Sequence, residues 1–287
     1  MILKFTKMHG CGNDYIYINC LNQEIDNPSK LSIRLSDRHY AIGSDGVILI
    51  CKSDVADAKM RMFNADGSEG KMCGNGIRCV GKYLYDKNLV SKDYIDIETL
   101  SGIKHIHAVR NNANEEVKYL RVDMGKAELD PKKIPVNINA DKVINFPINI
   151  SGQDYHITCV SMGNPHCIVF CENIENLDLE KIGPLFEKNS IFPEGVNTEF
   201  VEVLDKNTLK MRVWERGSGE TMACGTGACA CAVAAVENKY CEKNKDITVK
   251  LIGGDLTINY TDKTVFMTGP AEKSYEGEIE IWQNIYL

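Results

Sequence analysis

One cysteine site occurs twice in this chain. Cys73 heads Cys73-Gly74-Asn75-Gly76, and Cys224 heads Cys224-Gly225-Thr226-Gly227, 151 residues further on. The same spacing relates Lys59-Met60-Arg61 to Lys210-Met211-Arg212, Gly12-Asn13 to Gly163-Asn164, and Asn64 to Glu215. Solenoid repeats run to about 20 to 50 residues, so a period this long reads as a duplicated domain. At roughly 100 to 200 residues per domain, 287 residues make room for two copies, each with its own core.

The apolar patterning supports duplication. Strand-like segments are expected at Tyr15 to Ile18, Val47 to Cys51, Lys59 to Phe63, Tyr94 to Leu100, Ile103 to Val109 and Tyr119 to Met124. The second half answers with Tyr155 to Val160, Cys167 to Phe170, Glu199 to Leu204, Leu209 to Trp214, Ile247 to Ile252 and Leu256 to Tyr260. Ser101-Gly102 and Gly253-Gly254 mark equivalent hairpin turns, 152 apart after a one-residue slip. Each half is expected to add two helices. A peripheral one begins near Asn27-Pro28, where proline suits a first turn, with a counterpart near Leu179 to Phe186. The other follows the cysteine site, at Gly76 to Tyr85 and Gly227 to Val236; the latter is apolar on every side and so reads as buried. The fold class expected is α+β, with two pseudo-symmetric duplicated domains, each a strand-rich, barrel-like sheet around a central helix. The segment from about Gly125 to Ile150, with three prolines, has no apparent counterpart and reads as the connection.

Charge and cysteine usage narrow the function. The net charge of −7, without any Lys/Arg cluster, argues against a nucleic-acid partner. The longest apolar run, Ala228 to Val236, is far short of a membrane span. Met1 to Phe5 has no signal-peptide core, so a cytoplasmic location is expected. Twelve cysteines in a chain of this length read as reduced thiols rather than a disulfide scaffold, and no C-x-x-C pair points to metal. Most read as small buried hydrophobes.

Cys73 and Cys224 stand apart by context. Each precedes Gly-x-Gly and a helix, and a helix N-terminus lowers a thiol's pKa and receives anions through its backbone N–H groups. One element therefore supplies both a thiolate and a cradle for a carboxylate. Asn13, Asn64, Asn75, Asn164 and Asn197 are neutral donors and acceptors suited to an amino-acid head group. Fold duplication preserves turn glycines, but by itself gives no reason to preserve a cysteine at the same non-core position.

Met8-His9-Gly10-Cys11-Gly12-Asn13-Asp14, Phe63-Asn64-Ala65-Asp66-Gly67-Ser68-Glu69, Cys73-Gly74-Asn75-Gly76, Ser161-Met162-Gly163-Asn164-Pro165-His166 and Glu215-Arg216-Gly217-Ser218-Gly219-Glu220-Thr221 together resemble the diaminopimelate epimerase family. The resemblance spans nearly the whole chain. It implies a cofactor-independent epimerase that interconverts LL- and meso-diaminopimelate, in lysine and peptidoglycan precursor synthesis. It implies halves at 1–122 and 123–269, with 270–287 returning to the first. By that resemblance Cys73 and Cys224 are the acid/base pair, and Asn13, Asn64, Asn164, Asn197, Glu215 and Arg216 bind substrate with Gly74, Asn75, Gly225 and Thr226. Many members carry Gln where this chain has Gly46, opposite Asn197 at the 151 offset. A homodimer is one assembly compatible with the resemblance.

The chemistry follows from the pairing. An α-proton beside a carboxylate needs a base in contact, and inversion needs a proton from the opposite face. Two thiols, one ionised, supply both. They differ at rest, and the halves do differ: Glu215 answers Asn64, and His166 answers Tyr15, so His166 and Glu215 are expected to set the thiol pKa values. The alternatives are a proline racemase-type enzyme, which shares the paired-cysteine logic, a cysteine hydrolase, which leaves the second cysteine unexplained, and a redox-switched binding protein.

Overall fold

The computed structural model describes residues 2–110 and 115–281. Met1 and the last six residues of the segment expected at 270–287 lie outside the described residues. The chain divides into two compact units, Met1–Val122 with Gly269–Leu287, and Asp123–Thr268.

In the first unit the elements run β1 (Ile2–Gly10), β2 (Asn13–Cys20), α1 (Pro28–Ser36), β3 (Gly46–Cys51), β4 (Ala58–Asn64), β5 (Glu69–Gly70), α2 (Gly74–Asp86), β6 (Tyr94–Thr99), β7 (Gly102–Val109) and β8 (Tyr119–Asp123). The second contains β9 (Phe146–Ile150), β10 (Gln153–Ser161), β11 (Pro165–Phe170), a 3₁₀ turn (Ile174–Asn176), α3 (Leu179–Glu187), β12 (Asn197–Asp205), β13 (Thr208–Glu215), β14 (Gly219–Glu220), α4 (Gly225–Glu237), β15 (Asp246–Leu251), β16 (Gly254–Tyr260) and β17 (Val265–Pro270). The chain then continues as β18 (Glu272–Glu280), antiparallel to β1. α1 and α3, like α2 and α4, begin and end 151 residues apart.

Strand pairing repeats as well. β1–β2 is antiparallel, β2–β3 parallel, β3–β4 antiparallel, β4–β6 parallel and β6–β7 antiparallel. β10–β11, β11–β12, β12–β13, β13–β15 and β15–β16 follow the same signs in order. Such mixed order needs crossovers, and the helices provide them.

The central strands are buried on both faces, so they read as continuous apolar runs rather than alternating ones. In β3, Val47 and Leu49 join Ile16, Ile18, Leu31 and Leu35 of β2 and α1 in one cluster. The opposite face meets α2. A Cβ at Gly76 would approach Ile48 and Met60, and one at Gly81 would approach Ile95, Ile106 and Leu120, so α2 is enclosed by β3, β4, β6, β7 and β8. α4 likewise touches β10, β11, β12, β13, β15 and β16. Its Ala, Cys and Val side chains from Ala228 to Ala235 are fully buried, because only small groups let strands close in on all sides.

Six strands lie outside the segments expected from the apolar patterning: β1, β5, β9, β14, β17 and β18. β1 alternates Lys, Thr and His with its apolar residues, which dilutes a short-window signal. The expectation that Gly125 to Ile150 has no counterpart is corrected. β9 lies antiparallel to β10 as β18 lies antiparallel to β1. One precedes its partner in the chain and the other arrives from the far end, so no constant offset relates them. The rest of that connection packs down too, with Ile134, Val136 and Val143 buried in the second core.

Candidate active site

Both cysteines are helix N-caps. Cys73 has extended dihedrals, φ −129° and ψ 120°, and its Sγ accepts the Gly76 N–H at 3.3 Å. Cys224, at φ −118° and ψ 109°, accepts the Gly227 N–H at 3.3 Å. The expected glycines therefore lie inside the first helical turn, not ahead of it. The sulfur takes the place of the usual Ser or Asp oxygen, and Gly74-Asn75 and Gly225-Thr226 stand at the open, electropositive helix ends.

Around Cys73, the thiol donates to Asn13 Oδ1 at 3.4 Å. The orientation of that amide is set from behind, since Asn13 Nδ2 donates to Asp45 Oδ2 at 2.8 Å, and a carboxylate only accepts. Asp45 also accepts the Asp14 N–H and the Arg38 guanidinium, and Lys7 pairs with Asp14 below. Neither Asp45 nor Arg38 stood out in the sequence. Asn64 lies at the end of β4, directly across from Gly46, and donates to Ser68 Oγ. Asn75 is 2% exposed, and its Oδ1 accepts from buried Arg78 at 3.0 Å.

Around Cys224 the second unit assembles a different set. Sγ lies 3.5 Å from Thr226 Oγ1, which accepts from Asn164 Nδ2 at 3.3 Å. Asn164 Oδ1 is 3.1 Å from His166 Nε2, and His166 Nδ1 is 2.7 Å from Glu199 Oε1. Thr221 donates its hydroxyl to Glu215. Both ends of the Asn197 amide are engaged, Nδ2 donating to Pro165 O and Oδ1 accepting the Arg216 N–H, so it ties β11 to the Glu215-Arg216 turn. The Arg216 side chain is exposed and donates to Glu194 O. Trp214 fixes the turn from below, lying against Gly183 of α3 and donating to Glu187.

The electrostatics of the second turn are unusual for a helix N-terminus. Burial first, then the charges of Glu215 and Glu199, lift the Cys224 thiol well above its ordinary value, and the hydrogen bonds from Thr226 and Gly227 only offset part of this. Burial also raises the Glu215 carboxyl. The helix end alone therefore does not make Cys224 a thiolate.

Gly46 was the departure noted in the sequence. A Cβ there would stand 2.1 Å from Phe63 O and 2.8 Å from the Tyr15 ring, so backbone would have to move to admit any side chain. Gly46→Gln is expected to lower stability by about 1 to 3 kcal/mol through overpacking, without raising activity. Urea denaturation and turnover measured on one preparation check both.

Among the described residues no group of three His, Cys, Asp or Glu side chains is arranged to hold a metal, and no helix is long and apolar enough to cross a membrane. None of the twelve cysteines, all of them among the described residues, is in a disulfide.

The model for the family described as "Diaminopimelate epimerase" matches residues 5–129 and 158–274. The chain is 52% identical to a diaminopimelate epimerase of Acetivibrio thermocellus, covering 97% of this chain and 99% of that one. It is 56% identical to one from Methanococcus maripaludis, covering 97% and 100%. Among solved structures it is similar to a Bacillus anthracis phenazine biosynthesis protein of the PhzF family, with TM-score 0.72, 16% identity, and 98% and 100% coverage. It is also similar to a probable proline racemase from Agrobacterium radiobacter K84, with TM-score 0.69, 13% identity, and 98% and 93% coverage. At these identities the structures speak for the fold alone.

Proposed function

Because the chain belongs to the diaminopimelate epimerase family, it is an amino-acid epimerase, and we propose that Cys73 and Cys224 invert the α-carbon of diaminopimelate between the LL and meso forms. The observation that carries the assignment is the repetition of one sulfur-capped helix start, 151 residues apart, in two halves of matching topology. The halves are drawn at 1–122 with 270–287, and at 123–269, and each holds one of the two thiols.

The substrate's α-carboxylate is held at the helix ends by Gly74-Asn75 and Gly225-Thr226, where partial positive charge accumulates. Asn13, Asn64, Asn164, Asn197 and Arg216 surround the head group, with Asn197 acting through the Arg216 backbone. Glu215 receives the α-ammonium, and that positive charge counters the carboxylate field on Cys224. One sulfur removes the α-proton while the other delivers a proton to the opposite face. The reverse reaction exchanges their roles. Cys224 holds the proton at rest, since burial and two carboxylates favour its neutral form. Cys73 is half-buried, and Asn64 stands at the position that Glu215 holds in the other half. The chemistry needs no cofactor, the partner is a small molecule rather than a nucleic acid, and the setting is the cytoplasm.

Incubation with LL-diaminopimelate in D2O tests this. Deuterium is expected in the meso product while unreacted starting isomer keeps its hydrogen early in the reaction, with no added pyridoxal phosphate. Exchange into L-proline instead would make the protein a proline racemase-type enzyme. Absence of exchange from either amino acid would point to a binding protein, and a requirement for pyridoxal phosphate would remove the two-thiol mechanism.

A further inference from the structure

The two cysteine turns rest on different floors. A Cβ at Gly76 would come within 2.6 Å of Ile48 Cδ1, and a Cβ at Gly227 within 2.6 Å of Glu199 Oε1. Ile48 and Glu199 are themselves 151 residues apart. An aliphatic group under one turn is thus answered by a carboxylate under the other. The same point beside Gly227 lies 3.2 Å from Cys224 Sγ, so thiol and carboxylate converge on it.

This carboxylate is expensive to keep. Glu199 and His166 are both 0% exposed, and Glu199 Oε2 has no hydrogen-bond partner. Burying a carboxylate costs several kcal/mol unless its partners compensate, and the duplicate position shows that isoleucine serves the fold. Its one strong contact is with His166 Nδ1, at 2.7 Å.

That contact fixes which edge of the ring is turned to Asn164: Nδ1 meets the Glu199 carboxyl group, and Nε2 points the other way. Nε2 faces Asn164 Oδ1 at 3.1 Å, an atom that only accepts. The Asn164 amide is thereby oriented, its carbonyl toward the ring and its NH2 toward Thr226 Oγ1. Thr226, its oxygen occupied by that donor, can give its own proton to Cys224 Sγ. Resting on the function proposed above, we infer that Glu199 is a positioning residue for Cys224: through His166 it fixes the Asn164 amide so that Thr226 donates to the sulfur. In the first half Asp45 fixes Asn13 the other way round, with its carbonyl to Cys73. The titratable groups around the ring and its carboxylate are Glu215 on β13, Cys224 at the N-cap of α4, Cys231 on α4 and Cys167 on β11.

The test is side-chain ¹⁵N NMR of histidine-labelled full-length enzyme. The wild type is expected to show His166 protonated at Nε2 throughout the active pH range. Glu199→Ile, copying the first half, takes the partner from Nδ1, and Glu199→Gln offers it an amide that can turn either its oxygen or its NH2 to the ring; both are expected to replace the single Nε2–H signal by a mixture of the two neutral tautomers. Each should lower kcat/KM about tenfold or more and displace one limb of its pH profile by about one unit, and Glu199→Asp should restore the Nε2–H signal. If Glu199→Ile does not fold, the near-isosteric Gln variant decides. An unchanged ring signal, or a uniform loss of activity with no displaced limb, overturns the inference. A wild-type enzyme inactive on diaminopimelate would instead overturn the proposed function, whatever the ring reports.

Discussion

Cys73→Ala and Cys224→Ala each lower epimerisation on the order of 10² to 10⁴-fold or more, the range associated with a lost acid/base group. The loss in kcat/KM is the same from the LL and from the meso side, because a substitution cannot change the equilibrium constant between the two. The double variant is scarcely worse than either single one, since acid and base act as one unit. Each sulfur also caps a helix through Gly76 or Gly227, so alanine removes about 1 kcal/mol of capping as well. Cys→Ser at each site keeps an N-cap acceptor, and a serine variant that is folded but inactive separates chemistry from stability. Progress curves in both directions, with denaturation midpoints, are the measurements. If Cys73→Ala keeps near-normal turnover while Cys224→Ala is dead, a one-cysteine chemistry replaces the symmetric one.

The duplication made most of the architecture legible. Lys59-Met60-Arg61 and its copy lie on equivalent strands, β4 and β13, and the helices after the cysteines fall where the small residues of Ala228 to Val236 demand a buried element. What escaped has physical reasons. β9 and β18 occupy equivalent places from opposite ends of the chain, so a search by constant spacing passes over them. Glu199 sat inside a strand pattern, where an acidic residue ordinarily marks the solvent face; it is instead fully buried, and its meaning appears only beside Ile48. Asp45 and Arg38 act on Asn13 from the loop between α1 and β3. The differences between the copies carry as much as the likenesses: His166 for Tyr15, Glu215 for Asn64 and Glu199 for Ile48 all place polar or charged groups in the half that holds Cys224.

The first half has its own unmatched charge. Arg78 is the largest of the fully buried side chains, and its duplicate position is Cys229, likewise 0% exposed. Its Nη1 donates to Gly74 O at 3.0 Å, Nη2 to Asn75 Oδ1 at 3.0 Å, and Nε to Pro270 O at 3.1 Å. A Cβ at Gly10 would come within 2.9 Å of Nη2, so glycine at the end of β1 is what lets the guanidinium pass. One side chain thus joins the first turn of α2, where Cys73 sits, to the chain just before β18. Arg78→Met keeps much of the volume but strands two buried acceptors and the half-buried Pro270 O, each costing about 1 to 3 kcal/mol when left unmade and partly relieved by relaxation. The expected loss is about 3 to 5 kcal/mol, a large share of a typical domain's stability, read as a lower guanidinium midpoint at unchanged slope. Arg78→Lys, which can reach one of the three acceptors, should fall between. A loss below about 1 kcal/mol for Arg78→Met would mean that water replaces the guanidinium at no cost, and that the first turn of α2 is held by the Cys73 cap and its apolar packing alone.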